Sequence, residues 1–314
     1  MLHSDMQPFG AVMQMTHRIR RTLVWYAFIA PVFVLFAIFV IYPTIKTFQL
    51  SFFREVATKQ QFVGLAQYQR LFTDQVFIGA LLNTILLGAA FLLIVIPLGL
   101  ILASLLNSLK YAPNLFKVVY FLPQITSTVA IALIFSYIFQ ADWGLLNNGL
   151  RALGVDPLPL WLADPRYNLT GSRAAATILA VWIALGYYML IFLAGLQSVP
   201  TEFYDAAVVD GANFMQAWWY ITLPSLRPTF VFLILTGTID AFSRFSDLYT
   251  MGGPGGTPAR SLQTIVMYLY QIAFEGSDFN LSSAVAVILF LIMLSVTIFN
   301  FRALLQREFR RKTR

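Results

Sequence analysis

Residues 202–224 read Glu-Phe-Tyr-Asp-Ala-Ala-Val-Val-Asp-Gly-Ala-Asn-Phe-Met-Gln-Ala-Trp-Trp-Tyr-Ile-Thr-Leu-Pro and separate two strongly apolar segments of the chain. Three acids, Glu202, Asp205 and Asp210, lie near the start of this stretch. Each would cost about 2.5–3.5 kcal/mol at the centre of a bilayer. The stretch, extended to Pro228, is therefore predicted to lie outside the membrane, between two segments that cross it.

The local chemistry of this stretch predicts a helix, a corner and a second helix. Thr201 is suited to cap the first helix, and Gly211 is suited to end it because glycine accepts the left-handed conformation. Asn213 can start the second helix, with Gln216 three residues later as its capping-box partner. That helix is predicted to end before Pro224, since the residue preceding a proline is pushed out of the α region.

The composition of the whole chain is typical of a membrane protein. Of its 314 residues, 59% are hydrophobic, 11% are charged and none is cysteine, which excludes disulfides and cysteine catalysis. Six apolar runs are long enough to cross a hydrocarbon core roughly 30 Å thick. They predict an all-α polytopic fold with about six transmembrane helices, at residues 23–45, 77–106, 118–139, 174–196, 229–249 and 283–304. The first run lacks a small-residue cleavage site and is interpreted as a retained helix.

Lysine and arginine are distributed unevenly across this topology. The side that holds both termini and the 202–228 loop carries twelve of them, and the other side carries eight. Because basic loops stay in the cytoplasm, both termini are predicted to be cytoplasmic, as a tail at 1–22 and a basic tail at 305–314, around a transmembrane domain at 23–304. The net charge of +7 suits anionic membrane lipids. Nothing in the sequence indicates a nucleic-acid surface.

A spaced motif lies within the same loop: Asp205-Ala206-Ala207, then Gly211, then Ile221-Thr222-Leu223-Pro224. It resembles the EAA loop of bacterial ABC importer permeases, with aspartate where that family most often has glutamate. Three further segments, at residues 62–68, 121–123 and 143–147, are similar to segments of the same family. Residues 251–257 resemble the glycine-rich outer loop of its carbohydrate-uptake branch.

This resemblance implies a type I ABC importer permease fold, in which the loop forms a coupling helix that docks on a cytoplasmic ATPase. By the resemblance, the coupling residues are Glu202, Tyr204, Asp205, Ala206, Ala207, Asp210, Gly211, Ile221, Leu223 and Pro224. It implies a compact first permease of a heterodimeric pair in the bacterial inner membrane, importing an oligosaccharide or related polyol. The implied partners are a second homologous permease, two ATPase subunits that hold ATP and Mg, and an external solute-binding protein. The chain itself is then no enzyme and binds no cofactor.

Charged residues inside the fifth predicted span form a second candidate site. Asp240, Arg244 and Asp247 are spaced i, i+4 and i+7, which predicts one face of a helix with acid before base. Charges within a membrane usually face a bundle interior or a watery cavity. We hypothesise that this face, with Ser243 and Tyr249, borders the substrate path or the partner permease; the alternative is a structural ion pair.

Recognition of a polyol needs hydrogen-bonding side chains and flat apolar faces. Further path candidates are therefore polar or aromatic residues of the spans, each of which could instead be a packing residue. They are Asn83, Gln124, Thr126, Ser127, Thr128, Trp182, Tyr187, Tyr188, Asn280 and Ser282.

Several chemistries find no support in the sequence. The glycine-rich run at 252–256 lacks the Lys-Ser/Thr of a phosphate-binding loop, so no ATP site is indicated. The only histidines, His3 and His17, lie in the N-terminal tail and indicate no metal site. The alternative function is an ion-coupled secondary transporter, a class that usually shows repeated halves and a midplane carboxylate relay. Neither feature is evident here.

Overall fold

A computed structural model of the chain describes residues 24–56, 59–109, 113–163 and 170–312. The predicted tail at 1–22 lies outside these ranges. The last helix continues through the predicted C-terminal tail as far as Lys312.

Thirteen α-helices, a short 3-10 helix at Trp161–Ala163 and one β-hairpin are described in these ranges. The hairpin pairs β1 (Phe53–Val56) with β2 (Lys59–Phe62) in antiparallel register. The helices are α1 (Val24–Leu50), α2 (Ala66–Thr73), α3 (Gln75–Ser108), α4 (Pro113–Ile125), α5 (Thr128–Ile138), α6 (Leu145–Ala152), α7 (Thr170–Gln197), α8 (Thr201–Val209), α9 (Phe214–Ser225), α10 (Arg227–Phe242), α11 (Ser246–Gly252), α12 (Ile265–Glu275) and α13 (Phe279–Lys312). The predicted all-α fold class is confirmed, with the small hairpin as an addition.

Four helices are long and apolar enough to cross a membrane by themselves: α1, α3, α7 and α13. Two bent pairs, α4 with α5 and α9 with α10, bring the number to six if each pair counts as one span. The predicted spans at 77–106 and 174–196 lie inside α3 and α7.

The span predicted at 118–139 is formed by a sharply bent pair of helices. The chain bends by 95° between α4 and α5. Thr126 donates its hydroxyl to the carbonyl of Leu122 at 2.8 Å, and Ser127 leaves the helical region with ψ 118°. Such local side-chain bonds compete with the helix ladder, and Pro123 lacks the N–H that would reinforce it. Hydropathy shows that residues 118–139 are apolar, but it does not show that the helix axis bends within them.

The span predicted at 229–249 is also interrupted. Helix α10 ends at Phe242, and α11 begins only at Ser246. The apolar helix α12 was not predicted, because at eleven residues it is too short to be recognised as a span.

The core is built where α3, α7 and α10 meet. Helices α3 and α7 run side by side in the same direction, since Asn83 meets Arg173 near their starts and Gly99 lies against Tyr188 further along. Phe91, Val95, Phe192 and Leu233 fill the space between the three helices. This packing fixes two opposite ends of the molecule, one holding the β-hairpin and the start of α7, the other holding α8 and α9.

Candidate functional site

Helices α8 and α9 form the hairpin that the sequence predicts between the apolar segments. Gly211 turns the corner with φ +76°, and a Cβ added there would meet nothing within 4 Å. Asn213 then starts α9 with a reciprocal capping box: its side chain accepts from the Gln216 N–H at 2.9 Å, and its own N–H donates to the Gln216 side chain at 2.8 Å. The corner and the capping box are therefore confirmed.

Two details of the predicted hairpin are wrong. The residue that caps α8 is Pro200, in extended conformation with no side-chain acceptor, and Thr201 is already helical. Helix α9 does not end before Pro224; it widens into a π-turn at Trp218–Thr222 and runs to Ser225. Proline is tolerated there because it occupies the first turn after the π-turn, where an N–H is not needed. The bend, 58° between α9 and α10, falls at Leu226.

The two arms of the hairpin are held together from inside. The hydroxyl of Tyr204 on α8 and that of Thr222 on α9 share a hydrogen bond of 3.0 Å. At the corner, the Ala212 N–H donates to the Ala207 carbonyl at 2.9 Å and closes the end of α8. Ala207 and Thr222 are both buried. The hairpin therefore has a small interior of its own.

The outer surface of the hairpin is apolar and exposed. Val209 is 88% exposed and Tyr220 is 80% exposed, and five more large apolar side chains are exposed nearby. These are Phe203, Val208, Phe214, Met215 and Trp219. We call these seven residues the apolar surface of the hairpin; the exposed acids Glu202, Asp205 and Asp210 flank it. So many exposed apolar side chains on one short hairpin are typical of a contact site.

The two halves of the spaced motif have different environments. Glu202, Asp205, Ala206, Asp210 and Gly211 are exposed. Ile221, Leu223 and Pro224 are partly buried, and Leu223 packs against the core between α3 and α7.

A fully buried residue fastens the second arm to the membrane-crossing helices. Leu226 is completely buried and lies against Gly195 of α7, where an added Cβ would come within 2.8 Å of Leu226 and 2.6 Å of Thr229. The ring centroids of Phe192 and Phe230 lie 5.0 Å apart beside it. Leu226 therefore joins the end of α9 to α7 and α10 through direct packing.

The charged residues of the fifth predicted span do not share one helical face, and that prediction is wrong. Asp240 is exposed near the end of α10, whereas Arg244 lies in the break before α11. Arg244 pairs with Asp247: its Nε donates to Oδ2 at 3.0 Å, and one Nη also bonds Oδ2. The same Nη donates to the Ala176 carbonyl at 3.0 Å. From the break between α10 and α11, Arg244 thus bonds the first turn of α11 and the backbone of α7.

Asn83 is buried and hydrogen-bonded to two other segments of the chain. It is 5% exposed, donates to the carbonyls of Arg260 and Gln263 at 2.7 and 3.1 Å, and accepts from Arg173 at 2.6 Å. Ser172 and Ser261 share a second hydrogen bond between the same segments, of 2.7 Å. The segment between α11 and α12 is therefore fixed to the starts of α3 and α7. Arg173 was missed by the sequence prediction, although an arginine at the start of an apolar run is a usable signal.

The other path candidates fall into two groups. Tyr188 is 2% exposed and packs edge-on against Phe91, so it belongs to the core. Trp182, Gln124 and Ser243 are exposed. Tyr187 and Tyr249 are partly buried. Tyr187 lies edge-on to Tyr188, and the ring of Tyr249 packs with those of Phe245 and Tyr270.

Two candidates at the end of the molecule that holds the β-hairpin, Asn280 and Ser282, are buried. Asn280 exchanges two hydrogen bonds with Gln60 and donates to the Leu50 carbonyl at 3.2 Å. Thr126, Ser127 and Thr128 are exposed at the bend between α4 and α5. Within the described ranges, no group of three His, Cys, Asp or Glu side chains could hold a metal ion.

Comparison with known proteins matches residues 95–311 to the family described as "Binding-protein-dependent transport system inner membrane component". The lactose transport system permease protein LacF of Rhizobium radiobacter is 32% identical over 285 residues, which cover 90% of this chain and 94% of that protein. The arabinooligosaccharides transport system permease protein AraP of Bacillus subtilis is 35% identical over 279 residues, covering 88% of this chain and 87% of AraP. A crystal structure of a bacterial ABC transporter involved in alginate import matches with a TM-score of 0.81 at 24% identity. The match covers 93% of this chain and 99% of the chain compared.

Proposed function

Because this chain belongs to the family of binding-protein-dependent transport system inner membrane components, we propose that it is the permease subunit of an ATP-driven importer that moves a carbohydrate into the cytoplasm. The carbohydrate is an oligosaccharide or a related polyol. The observation that carries this substrate class is the similarity, across almost the whole chain, to permeases named for lactose and arabinooligosaccharide transport.

The apolar surface of the α8–α9 hairpin is the proposed docking site for an ATPase subunit. Exposed aromatic and aliphatic side chains at a compact corner fit a groove on a partner, and they dominate the energy of such contacts. The flanking acids Glu202, Asp205 and Asp210 favour a partner with basic residues at the rim. In this proposal the α8–α9 hairpin and both termini lie in the cytoplasm.

The proposed complex contains this chain, a second homologous permease, two ATPase subunits and an external binding protein. ATP and Mg belong to the ATPase subunits, whose closure moves the hairpin. Leu226 then carries the movement into the core at Gly195. Such coupling requires a two-state element that nucleotide binding biases, and the hairpin with its buried anchor is that element.

The test compares two exposed apolar residues at opposite ends of the molecule. Val209→Asp places a charge in the proposed docking surface. Leu153→Asp is the matched control, because Leu153 is 81% exposed and follows α6 at the other end. We expect Val209→Asp to weaken ATPase co-purification by at least about tenfold, equivalent to 1.4 kcal/mol, and Leu153→Asp to leave it unchanged.

The same preparations, reconstituted in proteoliposomes with binding protein, test transport against a panel of labelled oligosaccharides and polyols. Uptake that requires ATP on the side of the membrane that the α8–α9 hairpin faces supports an importer. The panel identifies the carbohydrate. Uptake that follows an ion gradient without ATP would refute the proposal and favour a secondary transporter.

A further inference from the structure

The two arms of the α8–α9 hairpin are attached to the membrane-crossing helices in different ways. Helix α8 follows α7 after a three-residue connection, residues 198–200. Helix α9 ends one residue before Leu226, which is buried in the core. Val199 in that connection is buried, so α8 is held at its start. A load applied further along α8 reaches Leu226 through the corner at Gly211 unless a cross-link ties the two arms together.

The hydrogen bond between Tyr204 and Thr222 is such a cross-link. Tyr204 lies on α8 between the exposed residues Phe203 and Asp205, and its hydroxyl reaches inward to α9. Thr222 is 4% exposed, and its carbonyl accepts from the Leu226 N–H at 3.1 Å. The bond thus joins the exposed arm to the residue one turn before the buried anchor.

The position of Thr222 in α9 adds to this geometry. Thr222 is the last residue of the π-turn that begins at Trp218, and Trp218 packs against the core. A π-turn is a local widening of the helix that frequently lies at functional sites. Here the hydroxyl of Thr222 comes within hydrogen-bond reach of α8 directly after that widening.

We propose that Tyr204 and Thr222 are positioning residues that make the hairpin move as one body, so that force on α8 is transmitted to Leu226. This inference rests on the proposed function. Loss of the bond leaves the docking surface in place but lets the arms slide past one another. The number of ATP molecules consumed per sugar imported therefore rises, while docking is unaffected.

The test uses Tyr204→Phe, Thr222→Val and their double variant in the intact complex. Each single change removes one partner of the bond with little change in shape. We expect uptake per ATP to fall roughly fivefold in each single variant, a typical coupling between sites. The double variant should be no worse than either single variant, because both remove the same interaction. Thr222→Ser keeps the hydroxyl and should retain coupling.

A matched control is Thr238→Val in α10. Thr238 is also buried, and its hydroxyl donates to the Ile234 carbonyl of its own helix at 2.6 Å, so its removal breaks no cross-link. Coupling should be unchanged in this variant.

Three outcomes would overturn the inference: unchanged uptake per ATP in the single variants, a double variant whose loss is the product of the two, or lost ATPase co-purification in Tyr204→Phe. Failure of the parent complex to import sugar with ATP would instead refute the proposed function. The two failures are therefore distinguishable.

Discussion

Substitution of Gly237 by alanine tests how tightly α10 is packed against α7. A Cβ added at Gly237 would lie well inside contact distance of the Tyr188 hydroxyl, 2.7 Å from Leu92 Cδ2 and 3.3 Å from Tyr188 Cζ. Tyr188 cannot swing away, because it is buried and its own Cβ lies against Gly99. The new methyl group must therefore be accommodated by separating the two helices.

The magnitude follows from the cost of inserting a methyl group into a filled core, about 1–3 kcal/mol. The middle of that range lowers the melting temperature of the purified complex by roughly 4–8 °C, using about 2–4 °C per kcal/mol for a chain of this order of size. Tyr188→Phe alone should cost less, about 0.5–1 kcal/mol. The bond that it removes, to the Leu233 carbonyl, is long at 3.4 Å.

The assay is thermal unfolding in detergent at one fixed scan rate, since membrane complexes commonly unfold irreversibly. The double variant, with Gly237→Ala and Tyr188→Phe, should be more stable than Gly237→Ala alone, because the hydroxyl that obstructs the methyl group is gone. Gly79→Ala is the matched control; an added Cβ there meets nothing within 4 Å, and alanine favours a helix by up to about 1 kcal/mol.

Two results would refute this reasoning. If the double variant were destabilised by the sum of the single effects, the Tyr188 hydroxyl would not be the obstruction. If Tyr188→Phe abolished transport without lowering the melting temperature, Tyr188 would contact the substrate, contrary to its position in the core.

Three further predictions concern the other buried contacts and the hairpin corner. Asn83→Ala should destabilise the complex by about 3 kcal/mol, because the Arg173 guanidinium loses an acceptor and the carbonyls of Arg260 and Gln263 lose their donor. The melting temperature should fall, and the segment between α11 and α12 should be proteolysed faster. Asp247→Asn should lower the free energy of unfolding by about 3 kcal/mol, because the largely buried Arg244 loses its counter-charge. The double change with Arg244→Gln should recover part of the loss in yield and thermal stability, and no recovery would contradict the ion pair. Gly211→Ala should lower the free energy of unfolding by about 1 kcal/mol through the positive φ of this residue alone, since the added Cβ meets open space. Hydrogen exchange should become faster in α8 and α9 and stay unchanged elsewhere.

The sequence by itself determined the features that depend on neighbours along the chain. The corner at Gly211 and the capping box of Asn213 with Gln216 were predictable, because a positive φ and helix-end hydrogen bonds involve residues three or four positions apart. The spans within α3 and α7 were also predictable, since a long apolar run is most stable across the hydrocarbon core of a membrane. The spaced motif also predicted the family, which the comparisons confirm.

Only the tertiary structure decided which polar residues face a neighbour and which are free. The prediction from the spacing of Asp240, Arg244 and Asp247 assumed a continuous helix. In the structure the helix breaks at residues 243–245, and Arg244 bonds a carbonyl on α7, which the spacing cannot reveal. Tyr188 fills the core because glycines on two other helices leave room for it. Such contacts join residues tens of positions apart along the chain. They arise from the fit of one helix surface against another, which local spacing and hydropathy do not encode.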